Sequence, residues 1–448
     1  MKKKILYELF NLTVTGGTGI ATYARNLIGA ARALGFTTDG LLHSQRAIDT
    51  KDPLLGEIGF FDARNRKPSA FTRYVTLNWR RGVGAPFGLK TTQLNRSAIV
   101  LSNPSTAPFA GLDSIHVAPL FMDLARFHFK RFGAPARLRL ARAPDIFHAT
   151  QAIPLRVAGA RNIYTVHDIV PLRLPDSTLD DKKFFLNMVR NLGRTADLIV
   201  TVSEASRDDL IHFCGVPADK IVNTYQSVSF PDELLSQTDE EAARLVKGSF
   251  DLDKDGYYLF YGALEPKKNV GRLIDAYLAS GSARKLVIAG GLGWEYEQDL
   301  AKIDASKTNA LKILHGRIAP DERIRHLRHL PLFQLTALIR CARAVVFPSL
   351  YEGFGLPVLE SMLLRTPVIT SDGSSLKEVA GKAALLVDPV DTRSIMAAMQ
   401  KVDADDALCR VLSDGGPTQA SRFSPSAYRE RLSHAYGRVL IGVGRDAN

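Results

Sequence analysis

Short runs of β-branched and aromatic residues, each closing on a small or polar residue, recur along this chain with a stretch of helical period between them. A continuous apolar run belongs to a strand buried on both faces, and such strands pair in parallel through crossover helices. "KILYELF" opens the series. "IATYARNLIGAARALGF" follows, with Ile20, Tyr23, Ala24, Leu27, Ala31 and Leu34 on one helical face. The pattern is lost between about residue 45 and 142, then resumes with "DIFHA" (145–149), "NIYTVHD" (162–168) and "LIVTVSE" (198–204). A second series contains "YYLFYGA", "KLVIAGG", "LKILHG", "AVVFPS" and "PVITS". The expected class is α/β, with two doubly wound layers.

A chain of 448 residues is long enough for two domains that each bury a full core. The division expected is 1–235, 236–420 and a terminal piece, 421–448, where Ser424 caps and Pro425 opens a helix. The acidic stretch 231–256 reads as the connection between the domains. No apolar run reaches the ~18 residues of a membrane span. Glu8 and Asn11 interrupt the N-terminal run before a signal-peptide core can form. Cys214, Cys341 and Cys409 are odd in number, far apart and without metal-ligand spacing, so neither disulfides nor zinc is expected, and a reducing cytoplasm fits.

The formal charge is +12, and the stretch from Arg64 to Arg142 holds fourteen Lys and Arg against Asp113 and Asp123. Such a patch attracts an anionic partner. Within it, "FMDLARFHFKRF" (121–132) intersperses Phe121, Phe127, Phe129 and Phe132 with Arg126, Lys130 and Arg131. That pattern suits the anionic face of a membrane, with peripheral attachment, and equally a core helix with a solvated basic edge. No nucleic-acid module accompanies the charge, so nucleic acid is not an expected partner.

Two glycine-punctuated loops carry the ligand chemistry. In "VTGGTGIATYARNL", Gly16, Gly17 and Gly19 form a bare turn before a helix, open to close approach by a phosphate or sugar. A nicotinamide cofactor is disfavoured: position 22 is Thr22 where the dehydrogenase fingerprint needs glycine, and no tyrosine has a lysine four residues on. In "VFPSLYEGFGLPVLESM" (346–362), a buried strand leads into a loop and Pro357 marks the start of a helix. The N–H groups of Phe354, Gly355 and Leu356 would point at whatever sits before that helix, where the dipole favours an anion. Glu352 and Glu360 flank this cradle with seven residues between them, and carboxylates suit polyols because they only accept while hydroxyls donate.

With these blocks the sequence resembles the retaining glycosyltransferases of family 4, which have the two-domain GT-B fold. The resemblance extends through "YGALEPKKNVGRLIDAY" (261–277), "AGGLGWEYE" (289–297), "SDGSSLKEVAGKAALLVDP" (371–389), "TVHDIVPL" (165–172) and "GGTGIATYARNL" (16–27), in the family's order. It implies two Rossmann-like domains facing across a cleft, with the C-terminal helix returning to the first. It implies His167, Lys268 and Glu352 as catalytic residues, His167 lying beside the transferred sugar. The nucleotide-sugar-binding set is Gly16, Gly17, Gly19, Gly262, Lys268, Arg317, Glu352, Phe354, Gly355, Leu356 and Glu360. His148 is a weaker second candidate, and Ser203 and Glu204 read as strand-terminal hydrogen bonders.

Where the family often carries an arginine after the glycine, this chain has Ala263, leaving Lys267 or Arg272 to supply a second cation. Asn269 is expected to cap the helix that follows. No metal and no cofactor are expected; Asp251, Asp253 and Asp255 have Asp-x-Asp spacing but read as solvated charges. The activity implied is transfer of a sugar from a nucleotide diphosphate sugar to a glycan or lipid-linked acceptor in surface polysaccharide or lipopolysaccharide synthesis. "LEPKKN" is similar to mannosyltransferases that use GDP-mannose. A nucleotide-sugar epimerase on the same scaffold and a catalytically silent membrane-associated scaffold are the alternatives.

Overall fold

β1 (Lys4–Glu8) buries every residue after Lys4 and has a parallel neighbour on each side, as a run without polar alternation requires. It belongs to a computed structural model that describes residues 2–13, 19–44, 52–63, 88–94, 109, 111–308, 311–314, 317–320, 323–328 and 330–441. The chain divides into two units. The first takes Met1–Ile169, Asp180–Ser227 and Pro425–Asn448; the second takes Val170–Leu179 and Val228–Ser424.

The first unit contributes β1, β2 (Thr37–Ser44), β3 (Leu89–Lys90), β4 (Thr92–Leu94), β5 (Ser114–Pro119), β6 (Ala136–Arg139), β7 (Ile146–Ala149), β8 (Leu155–Val157), β9 (Arg161–Val166), β10 (Leu198–Thr201) and β11 (Ile221–Asn223). Eight of these form one sheet in the order β11-β10-β9-β7-β1-β2-β5-β4, parallel except where β4 meets β5; β3, β6 and β8 make a small separate sheet. The order reverses between β1 and β7, so the carboxyl ends of those two strands form a topological switch point. Helix Pro425–Ile441 packs on helix Gly19–Ala33 in this unit. Its Tyr436 hydroxyl joins a buried polar chain with Tyr7 (3.0 Å) and His148 (2.9 Å).

The second unit has β12 (Tyr257–Tyr261), β13 (Lys285–Ala289), β14 (Leu311–Leu314), β15 (Arg317–Pro320), β16 (Ile324–Leu327), β17 (Ala344–Phe347), β18 (Val368–Ser371) and β19 (Leu385–Val387). Its parallel sheet runs β16-β13-β12-β17-β18-β19, with the reversal between β12 and β17. The expected strand "LKILHG" is not in this sheet: Leu311–Leu314 pairs antiparallel with β15, and β16 takes the edge beside β13. Only Ile324 of β16 is buried. An edge strand half open to solvent carries no apolar run, so the pattern that found its neighbours passes it over.

The acidic stretch is not a bare connection. Thr238 and Glu241 form a capping box that starts helix Asp239–Phe250, and Ala242 and Val246 bury its inner face where it packs on helix Leu332–Cys341. Asp251 and Asp253 are exposed and pair with Lys247 at 2.9 and 3.1 Å. Among the described residues, no helix is long and apolar enough to cross a membrane.

Of the basic segment 64–142, residues 64–87, 95–108 and 110 lie outside the described residues. Helix Phe121–Phe132 buries Phe121, Leu124, Ala125 and Phe129, while Phe132 is exposed. Arg126 and Lys130 lie over the Phe184 ring, and Lys130 pairs with Asp181 at 2.8 Å. A core face with a basic edge is therefore present in the fold.

Candidate active site

Ligands of open parallel sheets sit at the carboxyl ends of the strands flanking a topological switch point. In the second unit those are β12 and β17. The chain leaving β12 is zipped to the chain leaving β13: Gly262 N–H donates to Ala289 O (2.9 Å), Leu264 N–H to Gly291 O (3.0 Å), and Gly293 N–H to Leu264 O (3.1 Å). A Cβ on Gly290 would overlap the Gly262 carbonyl oxygen, so a side chain there cannot coexist with this arrangement. Pro266–Lys268 then forms one 3-10 turn.

Asn269 does not cap the following helix with its side chain. It adopts a left-handed conformation (φ 63°), and its amide donates instead to the carbonyls of Pro348 (3.0 Å) and Pro389 (2.7 Å). Leu350 N–H bonds Lys267 O at 2.8 Å. The two loops are thus stitched together, and the stitch delivers Lys268. Its ammonium lies 4.9 Å from the centre of the Phe347 ring and 2.6 Å from Glu352 Oε1.

Glu352 is held from behind as well: its N–H bonds Ser374 Oγ (3.3 Å), and its carbonyl accepts from Ser375 Oγ (2.8 Å). Burial pushes its carboxyl up, but the ammoniums of Lys268 and Lys267 outweigh that and hold it below the usual carboxylate range. Lys267 lies 4.0 Å from Glu352 Oε2, whereas Arg272 is committed to Asn269 Oδ1 (2.6 Å) and Pro389 O (3.2 Å). Of the two candidates for the second cation, Lys267 is the one beside the acid.

Gly355 turns the chain into helix Leu356–Leu363 with φ 107°, and a Cβ there would fall 2.6 Å from Leu376 Cδ2. The first N–H groups of a helix have no intrahelical acceptor, which leaves an anion-favouring end at Leu356. The Phe354 side chain is core, packed edge-on against Phe423 at 5.5 Å, so it is not itself a ligand contact. Glu360 is half-buried one turn into the helix, and burial pushes its carboxyl up to about 7.

In the first unit, His167 follows β9. Its Nε2 lies 2.8 Å from Thr150 O, and its ring meets Tyr23 edge-on at 4.9 Å. Burial lowers its pKa, opposed by the Thr150 bond and the Asp168 charge. His148 is different. It is fully buried between the Tyr436 hydroxyl and Thr165 Oγ1, each at 2.9 Å, and burial drives its pKa down to about 3. It is a core histidine. Ser203 caps helix Glu204–Cys214 through Ser206 N–H, and Glu204 accepts from Asn223 at 2.8 Å. Gly19 is the exposed first residue of helix Gly19–Ala33, and Gly16 and Gly17 lie outside the described residues. Arg317 opens β15 opposite Leu314; its side chain is likewise outside them.

Residues 95–228 match the model for Glycosyltransferase Family 4, and residues 245–419 that for Glycosyl transferases group 1. The O-antigen chain mannosyltransferase B of Escherichia coli is 32% identical over 281 residues, 62% of this chain and 70% of that protein. The chain belongs to glycosyltransferase family 4. The O-antigen chain mannosyltransferase RfbU of Salmonella typhimurium is 28% identical to this glycosyltransferase, over 55% of the chain and 62% of RfbU. Sucrose-phosphate synthase of Thermosynechococcus elongatus superposes with a TM-score of 0.66 at 16% identity, covering 98% of this chain and all of that one. The fold of this glycosyltransferase is accordingly GT-B.

Sequence reasoning missed three residues. Nothing local signals the steric role of Gly290 in "AGGLGWEYE" or the bond of Ser375 to Glu352 in "SDGSSLKEVAGKAALLVDP". Glu8, an acid closing an apolar strand, reads in sequence as an interruption; in the fold it is fully buried.

Proposed function

We propose that this glycosyltransferase transfers mannose from GDP-mannose to a hydroxyl of a glycan or lipid-linked acceptor in surface polysaccharide synthesis, with retention at the anomeric carbon. The observation that carries the reading is the Lys268–Glu352 pair at the switch point of the second unit. Lys268, Lys267 and the amides of Gly355 and Leu356 are the donors for a diphosphate. Glu352 turns its acceptor oxygens to sugar hydroxyls, and Glu360 takes hydroxyls of the nucleoside. His167 is the further residue assigned to the transferred sugar.

In the reaction the bond from C1 of the sugar to the phosphate oxygen breaks as the acceptor oxygen bonds C1 on the same face. The acceptor proton leaves on the departing diphosphate. The charge appearing there is met by cations and amides already in place, one such donor being worth about 10²–10³ in rate. This chemistry calls for no metal. The names of the similar proteins, both O-antigen chain mannosyltransferases, favour mannose and a polysaccharide acceptor.

The test is a panel of nucleotide sugars scored first by thermal stabilisation and then by turnover on a polyprenyl-linked oligosaccharide acceptor, with and without a chelator. GDP-mannose alone should stabilise strongly and give an α-linked product by NMR, at a rate the chelator leaves unchanged. An inverted product, or an isomerised donor formed without acceptor, would overturn the proposal.

A further inference from the structure

Glu8 closes β1 at the switch point of the first unit, where it pairs in register with Ala149 of β7. Its carboxylate is fully buried and forms no ion pair with a Lys, Arg or His among the described residues. Two N–H donors from two loops serve it, and the single proton of the Thr150 hydroxyl is shared between it and the Glu8 main-chain carbonyl. Phe10 N–H reaches Oε1 at 2.7 Å from the chain leaving β1. From the chain leaving β7, Thr150 Oγ1 reaches Oε2 at 3.3 Å and the Glu8 carbonyl at 2.9 Å, and Gln151 Nε2 reaches Oε1 at 3.4 Å. The acid is a knot between those loops.

Thr150, tied down by its hydroxyl, offers its carbonyl to His167 Nε2 at 2.8 Å. A carbonyl only accepts, so the proton of the neutral imidazole is on Nε2, and Nδ1 carries the lone pair. Tyr23 stands edge-on against the ring, with its hydroxyl 2.8 Å from Thr165 Oγ1, and Ser206 Oγ donates to the His167 carbonyl at 2.7 Å. Ring plane, backbone and one nitrogen are all fixed, leaving Nδ1 as the polar atom available to a ligand.

We propose that Glu8 is a positioning residue for His167: through Thr150 it holds the imidazole as the Nε2–H tautomer and presents Nδ1 to the transferred sugar. The inference rests on the transferase reading only for its kinetic arm. A misplacement of about 1 Å at such a support can lower turnover about 10²-fold without touching donor binding.

The experiment uses the full chain with ¹⁵N-labelled histidine. Imidazole ¹⁵N shifts should show one Nε2–H tautomer for His167 in the wild type, and a mixture in Glu8→Ala and Thr150→Val. Each variant should lower kcat about 10²-fold with KM for the nucleotide sugar within twofold. The double variant should be no worse than the more damaged single one, because the two share the Thr150 hydroxyl contact; Thr150→Val also loses the bond to the Glu8 carbonyl, which Glu8→Ala keeps. Glu8→Gln keeps one acceptor and should recover at least tenfold of the loss. Should Glu8→Ala not fold, Glu8→Gln and Thr150→Val carry the test. An unchanged tautomer in variants with depressed kcat, additive losses, or an Nδ1–H wild type would overturn the proposal. A wild type without transferase activity would sink the functional reading, while the tautomer measurement would still decide this one.

Discussion

Lys268 donates to Glu352 across 2.6 Å although 84 residues separate them, and both side chains are largely buried. Neither could be left alone in that position without penalty, since a buried charge that loses its partner is strongly destabilising. A diphosphate bound as proposed would meet an ammonium already in place and an acid already ionised.

Lys268→Ala and Glu352→Ala should each lower kcat/KM about 10²–10³-fold, the loss expected for one preorganised group. Steady-state kinetics with GDP-mannose measures this, with circular dichroism showing that the chain still folds. Retention of near-normal turnover by both would remove the site assignment.

The pair also sets an acid limit on stability. The Glu352 carboxyl lies below its ordinary 4.5 in the folded chain. Its stabilisation is therefore full above 4.5 and lost as pH falls through the lower folded value. Urea denaturation from pH 6 to 3 should show the second unit weakening faster in the wild type than in Glu352→Gln.

His148 predicts a different pH window. It stays neutral in the native chain down to about 3 but binds a proton near 6.5 when unfolded. Between those values the unfolded state holds the extra proton, so acidification from 6.5 withdraws stability by up to about 1.4 kcal/mol per pH unit. His148→Gln should flatten that slope. It should also cost about 1–3 kcal/mol at neutral pH if one partner, Tyr436 or Thr165, is left unsatisfied. Wild-type turnover per folded molecule is expected to persist.

Gly290→Ala should destabilise the second unit by at least about 1–3 kcal/mol, because its methyl group meets the Gly262 carbonyl, which is backbone and cannot swing away. Gly291→Ala, with open space around the added carbon, is the control. Thermal melts with and without GDP-mannose separate lost stability from lost binding.

Donor affinity should depend on pH near neutrality. The Glu360 carboxyl sits at about 7 in the unliganded chain. Below that value it carries a proton and gives up acceptor capacity for nucleoside hydroxyls, so GDP-mannose should bind more weakly as pH falls from 8 to 6. Glu360→Gln should bind weakly at both ends, with the pH dependence gone; calorimetry reads it directly.

The amino-acid order alone marked most of the central strands, among them β1, β7, β9, β12 and β17, but passed over β5 and offered Leu311–Leu314, which lies outside the main sheet. A strand buried on both faces is mostly apolar, and that requirement is written locally; β2, which buries Thr38, Asp39, His43 and Ser44, departs from it. The amino-acid order also marked the loop from Pro348 to Gly355 and the two acids around it, because a glycine-bent entry to a helix is a local event. Edge strand β16 was illegible for the complementary reason: one open side relaxes the demand on its residues.

Tertiary structure decided the rest. His148 and His167 both close strands of one sheet, yet one is sealed between Tyr436 and Thr165 and the other keeps a nitrogen available; the difference lies in helix Pro425–Ile441, which supplies Tyr436 from 288 residues away. Asn269 looks like a cap and serves as a staple between loops. Glu8 reads as an interruption in an apolar run and proves to be the knot at a switch point. Burial and hydrogen-bond partnership depend on what the folded chain brings from elsewhere, and those contacts have no signature at the residue that receives them.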